Sequence, residues 1–157
     1  TMDEERVDRV TAQLRFDIDL LGQRVIGLID WARQHPATSR LPIGLFGAST
    51  GAAAALVAAA ARPSDVSAVV SRGGRPDRAG ASLPLVLAPT LMIVGGADTA
   101  VIELNQTAAR HMRSVTRMEI VPGATHLFEE PGTLERVAEL AATWFTSHLD
   151  TPLTSRA

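Results

Sequence analysis

The fold is decided by one stretch of the chain, Pro42-Ile43-Gly44-Leu45-Phe46-Gly47-Ala48-Ser49-Thr50-Gly51. Its first half is a short apolar run, which is typical of a buried strand. An alanine-rich run follows from residue 51 to residue 61, and alanine is the residue that most favours a helix. Residues 47–51 between them read G-x-S-x-G, a pattern that predicts a sharp strand-to-helix turn with Ser49 raised above the sheet.

Strand and helix signals alternate on both sides of this stretch. Upstream, apolar residues at helical spacing predict a short amphipathic helix over residues 3–14 and a second helix capped by Asp17. Downstream, the patterns predict strands at 66–70, 90–94 and 118–121, helices at about 100–112 and 134–145, and loops at 71–76 and 122–132. Such alternation predicts a mostly parallel sheet covered by helices, an α/β three-layer sandwich of about four strands. We expect one domain over residues 1–149 and a flexible tail over residues 150–157.

Composition excludes several classes of protein. The chain has 157 residues, 46% of them hydrophobic, and a net charge of -2, so it offers no electrostatic attraction for nucleic acid or a membrane surface. No stretch reaches the roughly 18 consecutive apolar residues of a membrane span. The sequence has no cysteine, which excludes disulfides and thiolate metal sites. With a polar, acidic start unlike a signal peptide, this favours a cytoplasmic protein without a metal or an organic cofactor.

The chemistry at Ser49 depends on the small residues around it. Gly47 and Gly51 are expected to remove side chains that would collide in so tight a turn. The amide of Thr50 would lie at a helix N-terminus, where the helix dipole favours a developing oxyanion. Two alternatives remain: a structural turn in a glycine-rich and alanine-rich chain, or a phosphate site on the helix N-terminus. The glycine spacing matches neither G-x-G-x-x-G nor a P-loop.

Two further residues follow predicted strands. Asp98 comes after the strand at 90–94 and would orient a histidine, although it could equally be the N-cap of the next helix. His126 comes after the strand at 118–121 and suits general base catalysis, since imidazole titrates near neutral pH. It could also be an ordinary loop histidine. The chain order Ser, Asp, His, each after a separate strand, is more specific than any one of these residues.

Three segments resemble dienelactone-hydrolase-type members of the α/β-hydrolase superfamily: LFGASTG at 45–51, IVGGAD at 93–98 and PGATHLF at 122–128. The segment VSRGGRPD at 70–77 is also similar to the hydrolase-like domain that some bacteria fuse to a phosphoribosyltransferase. The resemblance implies a triad of Ser49, His126 and Asp98, with the Thr50 amide in the oxyanion hole. It implies a serine hydrolase of esters, lactones or thioesters, whereas dienelactone hydrolase itself has a cysteine nucleophile.

One departure from the family concerns the region before residue 42. The family fold begins with several strands there, and an early loop supplies a second oxyanion amide; this chain has only two predicted helices in that region. We therefore expect a truncated or minimal hydrolase domain that forms a homo-oligomer or contacts a missing N-terminal domain. The alternative is a catalytically weak or inactive module that packs on a phosphoribosyltransferase or another partner.

Two arginines follow the strand at 66–70. Because ligands of open α/β sheets bind outside the carboxyl ends of the strands, Arg72 and Arg75 are expected to bind anionic acyl substrates. The alternative is a solvated basic loop, and composition alone could place arginine here because the chain has no lysine.

Overall fold

The structure, a computed structural model, describes residues 1–149, so the predicted tail at 150–157 lies outside the described residues. The described chain contains five α-helices, four β-strands and two 3-10 segments. They run in the order α1 (Met2–Thr11), η1 (Leu14–Phe16), α2 (Ile18–Gln34), β1 (Ile43–Ala48), α3 (Thr50–Ala61), β2 (Val66–Arg72), η2 (Pro76–Leu85), β3 (Thr90–Gly95), α4 (Thr99–His111), β4 (Thr116–Val121) and α5 (Thr133–Leu149). Across residues 1–149, no helix combines the length and the apolar character needed to cross a membrane.

The four strands form one parallel sheet in the order β1-β2-β3-β4. The central strands β2 and β3 are buried along almost their whole length. Helices α2, α3 and α4, together with η2, pack on one face of the sheet, and α5 packs on the other. The predicted fold, a three-layer α/β sandwich with about four parallel strands, is therefore confirmed.

Helix α3 packs closely on the sheet because its side chains are small. Leu56 and six of its alanines, Ala52, Ala53, Ala54, Ala55, Ala58 and Ala59, are buried. This helix starts directly at the turn that carries Ser49, so its packing fixes the position of that turn against the sheet.

The N-terminal helices differ in how well the sequence predicts them. Asp17 caps α2 as expected, because its Oδ1 accepts a hydrogen bond from the Leu20 N–H at 2.9 Å. Helix α1 was expected to reach residue 14, but it ends at Thr11, where Ala12 adopts a left-handed conformation. Its apolar residues do not form a packed face, because no α1 residue is buried and Val10 is 87% exposed.

The region between β2 and β3 corrects two further predictions. The loop expected at 71–76 begins later, because β2 continues through Arg72 and pairs there with Ile93 of β3. Residues 76–85 form the 3-10 segment η2, which the sequence did not predict. Its helical pattern is broken by Pro84 and by Gly80, whose φ of 49° interrupts the segment. Such interruptions remove the periodicity by which a helix is recognised.

Candidate active site

Ser49 occupies a strained turn between β1 and α3. Its φ of 49° and ψ of -121° lie in a region that residues with side chains rarely adopt. A Cβ at Gly47 would lie 2.6 Å from Ala52 Cα, so only glycine fits there, as expected. A Cβ at Gly51 would meet nothing within 4 Å outside its own helix, so the prediction that Gly51 prevents a collision was wrong.

The Ser49 turn is held by the backbone of residues 72–75. The Ser49 N–H donates a hydrogen bond to the Arg72 carbonyl at 3.2 Å, and the Arg75 N–H donates to the Ser49 carbonyl at 3.1 Å. These two bonds hold Ser49 on both sides. A strained conformation of this kind persists only when its surroundings over-determine it.

Asp98 and His126 are in direct contact. Asp98 stands at the N-cap position of α4, but its side chain makes no capping hydrogen bond. Its Oδ2 lies 2.6 Å from His126 Nδ1 instead. An ionised carboxylate only accepts hydrogen bonds, so in a contact with ionised Asp98 the donor is an Nδ1–H, and Nε2 of a neutral ring would then be the acceptor. The Asp98 side chain is 16% exposed and that of His126 is 39% exposed, so the ring remains accessible from solvent.

The loop that carries His126 is held by hydrogen bonds both before and after this residue. Glu130 Oε2 accepts the Thr125 N–H at 3.1 Å, and hydrogen bonds to Thr125, chiefly to its side chain, hold the pKa of Glu130 below its ordinary value. On the other side, Phe128 is almost fully buried with a φ of 59°, and its carbonyl accepts a hydrogen bond from Thr133 Oγ1 at 2.9 Å. Together these contacts limit the movement of His126.

Residues 72 and 73 bring the Ser49 turn and the His126 loop to one edge of the sheet. A Cβ at Gly73, whose φ is 51°, would lie 3.2 Å from the His126 carbonyl and 3.7 Å from His126 Cε1. The preceding residue, Arg72, accepts the Ser49 N–H through its carbonyl. Ser49, Asp98 and His126 thus follow β1, β3 and β4 at the carboxyl ends of the strands, as the sequence predicts.

Thr50 is the first residue of α3, and the first N–H groups of a helix have no partner within the helix. Its side chain makes a contact that the sequence did not reveal: Thr50 Oγ1 donates to the Arg15 carbonyl at 3.0 Å. This bond ties η1 to the residue after Ser49. No sequence motif marks Arg15, so this contact could be found only in the structure.

Both predicted substrate-binding arginines have partners within the protein. Arg75 forms a two-bond ion pair with Asp77 at 2.9 and 2.8 Å, which raises the pKa of Arg75 and lowers that of Asp77. Arg72 Nη1 donates to the Leu127 carbonyl at 3.3 Å. Their role in substrate binding stays a prediction.

A buried amide supports residues 73–75, the segment that follows β2. Asn105 Nδ2 donates to the carbonyls of Gly74 and Val101 at 3.0 and 2.8 Å. Sequence reasoning missed Asn105, since it stands within the periodic pattern of α4 without a motif. In the part of the chain that the structure describes, no group of three or more His, Asp or Glu side chains is placed to hold a metal ion.

Comparison with known proteins shows a close match in sequence and in structure. The model of the dienelactone hydrolase family matches residues 3–150. The crystal structure of dienelactone hydrolase from Anabaena variabilis ATCC 29413 is 55% identical, with a TM-score of 0.93 over 95% of this chain and 69% of that chain. A monoacylglycerol lipase from Paleococcus ferrophilus shares the fold alone, at 16% identity and a TM-score of 0.69 over 83% of this chain and 76% of the other.

A curated relative has a name that does not refer to dienelactone hydrolase. The "Putative phosphoribosyl transferase Rv0571c" of Mycobacterium tuberculosis strain H37Rv is 60% identical over 137 residues. That match covers 87% of this chain, and the chain spans only 31% of the relative's length. The high TM-score to the Anabaena structure shows that the two proteins share the four-strand parallel sheet and its helices over the matched residues. The chain therefore belongs to the dienelactone hydrolase family and has the α/β-hydrolase fold.

Proposed function

We propose that this protein hydrolyses ester bonds, including those of lactones and thioesters, with Ser49 as nucleophile, His126 as general base and Asp98 as the residue that orients His126. One observation carries the proposal. The Asp98 carboxylate does not cap α4 and instead contacts His126 Nδ1 at 2.6 Å, at the sheet edge where the strained turn presents Ser49.

Acylation would begin when Ser49 Oγ attacks the ester carbonyl carbon while His126 Nε2 accepts the hydroxyl proton. The carboxylate of Asp98 stabilises the imidazolium that forms. The tetrahedral intermediate carries a negative oxygen, and the Thr50 N–H at the start of α3 is placed to donate to it. When this intermediate collapses, the leaving alcohol takes the proton from His126, and the acyl group remains on Ser49 as an ester.

Deacylation would follow the same path with water as nucleophile. His126 Nε2 accepts a proton from the water, whose oxygen attacks the acyl carbon. Collapse of the second intermediate returns the proton to Ser49 Oγ and releases the carboxylic acid. Neither half-reaction needs a metal or an organic cofactor.

The rate depends on a second oxyanion donor, which in the family comes from a loop before the nucleophile strand. The Thr50 N–H is the donor that residues 1–149 offer at α3. Removing one oxyanion donor from a complete hole costs on the order of 10²–10³ in turnover. We therefore expect slow hydrolysis by this chain alone.

We also propose that the enzyme acts in the cytoplasm, because its sequence contains no cysteine.

Labelling with a fluorophosphonate, which reacts with activated serines, tests the proposal directly. The wild-type chain should be labelled at Ser49, and Ser49→Ala should not be labelled. Ser64→Ala is the matched control, because Ser64 is an exposed serine after α3, and it should be labelled like the wild type. Labelling of Ser49→Ala at the wild-type rate would overturn the assignment.

A second candidate function is that of a non-catalytic module that packs on a partner. Two observations favour it. The outer edge of β1 has no neighbouring strand among residues 1–149, and the chain spans only 31% of relatives that are named as phosphoribosyl transferases. This candidate requires that wild-type Ser49 resists labelling and that the chain binds the remaining part of such a relative in a calorimetric titration.

A further inference from the structure

Arg72 contacts both halves of the candidate site. As the last residue of β2, it accepts the Ser49 N–H through its carbonyl at 3.2 Å. Through its side chain it reaches the other half, since Nη1 donates to the carbonyl of Leu127, the residue after His126, at 3.3 Å. One residue thus links the turn of the nucleophile to the loop of the general base.

A second side-chain contact strengthens this link. The Arg72 guanidinium lies over the Phe128 ring, with its central carbon 5.5 Å from the ring centroid, which is within the range of a cation–π interaction. Phe128 is itself fixed, because it is 1% exposed and Thr133 Oγ1 binds its carbonyl. Arg72 therefore rests on the anchored end of the His126 loop.

The chemistry of this contact requires arginine. A planar guanidinium can stack on an aromatic ring and, at its edge, donate to a carbonyl. The lysine ammonium is compact and strongly hydrated, so it could keep the charge but not both contacts. Arg72 has no carboxylate partner among the hydrogen bonds and ion pairs of the described residues, unlike Arg75, which is paired with Asp77.

We propose that Arg72 is a positioning residue that sets the distance between His126 and Ser49, and not a residue that binds the substrate. The inference rests on the proposed hydrolase function and deepens it. Asp98 fixes the rotation of the imidazole ring through Nδ1. Arg72 fixes the loop backbone against the strand that holds the Ser49 turn, so the two residues divide the placement of Nε2 between them.

Substrate binding would compete with this role. To grip a carboxylate with two parallel hydrogen bonds, the guanidinium would have to present one edge to the ligand. That movement would release the Leu127 carbonyl and the Phe128 ring at the moment when His126 must be held in place. The two roles therefore predict different kinetic effects. Positioning predicts a lower kcat on every ester, whereas substrate binding predicts a higher KM for anionic esters.

Kinetics on a neutral and an anionic p-nitrophenyl ester separate the two roles. In Arg72→Met, we expect kcat to fall about 10- to 100-fold on both esters with little change in KM, because a small misplacement of a catalytic group costs up to about 10² in rate. Arg72→Lys should recover part of that loss. Arg78→Met, which removes an exposed arginine six residues away, should behave like the wild type. A rise in KM for the anionic ester alone would overturn the proposal.

A second measurement does not depend on turnover. The Nδ1 proton of His126, held by Asp98, should give a low-field NMR signal in the wild type and in Arg78→Met. We expect the signal to broaden or shift in Arg72→Met, and in Arg72→Lys if the Met variant does not fold. An unchanged signal in a folded Arg72 variant would overturn the positioning role. If wild-type Ser49 resists fluorophosphonate, the hydrolase proposal fails, and this signal alone decides whether Arg72 positions His126.

Discussion

The two edges of the sheet are built differently. Strand β4 carries two charged residues, Arg117 and Glu119, and they pair at 2.6 Å on the strand itself. Strand β1 reads Ile43-Gly44-Leu45-Phe46-Gly47-Ala48 without a charge, and Phe46 is 50% exposed. Charged side chains discourage another chain from pairing with an edge strand, whereas an apolar, uncharged edge invites it. Of the two edge strands within residues 1–149, β4 alone is protected in this way.

This difference divides the candidate site. His126 and Asp98 follow β4 and β3, on the protected side, and their mutual contact is complete within the chain. Ser49 follows β1, on the open side, and the second oxyanion donor expected from the family would approach from there. The contact of the proposed acid–base pair therefore lies wholly within the described chain, while we expect the surroundings of the proposed nucleophile to need a neighbour.

The largest effect is expected on the open side, at the proposed nucleophile Ser49. Ser49→Ala should lower kcat for p-nitrophenyl acetate to the background rate, since removing the nucleophile of a complete triad costs on the order of 10⁶ in kcat. Because we expect the wild-type chain itself to be slow, the fold-loss in kcat on replacing Ser49 will be smaller than this value by the same factor. Steady-state hydrolysis with Ser64→Ala as control measures it. Retained turnover in Ser49→Ala would show that Ser49, on the open side, is not the nucleophile.

The next effect concerns the protected side. Asp98→Asn keeps the shape of the side chain but no longer requires a proton on Nδ1, so the imidazole can adopt the wrong tautomer. Serine proteases lose about 10⁴ in kcat from the corresponding change, and we expect a loss of that order or down to the background rate. The rate of fluorophosphonate labelling should fall in parallel.

The control for this change is Asp19→Asn, which alters an exposed carboxylate on α2 by the same chemical step. It should label and turn over at the wild-type rate. Equal labelling rates for Asp98→Asn and the wild type would mean that the 2.6 Å contact serves structure and not catalysis.

The sequence predicted well what depends on local patterns. The turn at Ser49 is marked by Gly47, whose replacement would collide with α3, and the buried strands are marked by apolar runs that need no knowledge of their neighbours. Asp98 showed the limit of this reasoning. Its position fitted a helix cap and a histidine partner equally well, and only the three-dimensional distance to His126 separated the two.

Contacts between distant segments could not be predicted. Asn105 supports Gly74 from a helix 31 residues away, and Thr50 binds the Arg15 carbonyl across 35 residues, yet neither Asn105 nor Arg15 stands in a motif. The apolar spacing in helix α1 predicts an amphipathic helix, a pattern that usually marks a face packed against a partner. Its Val10 is exposed because no described part of the chain packs over it.

The open edge itself can be tested by association. If β1 needs a neighbour, the chain should form dimers or larger assemblies as its concentration rises, and Phe46→Glu should weaken this association about tenfold or more. That factor corresponds to about 1.4 kcal/mol, which is within the value of burying a partly exposed phenylalanine. Light scattering after gel filtration measures the mass.

Ile120→Glu provides the matched control on the protected edge. Ile120 of β4 is 40% exposed, close to the 50% of Phe46, so the two changes add the same charge at similar exposure. Association of Ile120→Glu should equal that of the wild type. A wild-type chain that stays monomeric at all concentrations, or equal losses in both variants, would remove the distinction between the edges.

The smallest effect concerns the fastening of the His126 loop on the protected side. Because hydrogen bonds to Thr125 depress the pKa of Glu130 in the folded protein, its carboxylate stabilises the fold at pH values above its ordinary pKa. This contribution is lost as the pH falls through the lowered pKa, where the folded protein also takes up the proton. Glu130→Gln should therefore unfold at a slightly lower denaturant concentration than the wild type at pH 7, and the difference should vanish at pH values below the lowered pKa. Glu129→Gln removes the same charge from the adjacent exposed residue, whose carboxylate does not bind the Thr125 N–H, and should show no such convergence. If the gap between Glu130→Gln and the wild type stayed constant over this pH range, the contact with Thr125 would not depend on the charge, and the His126 loop would be held by Phe128 and Arg72 alone.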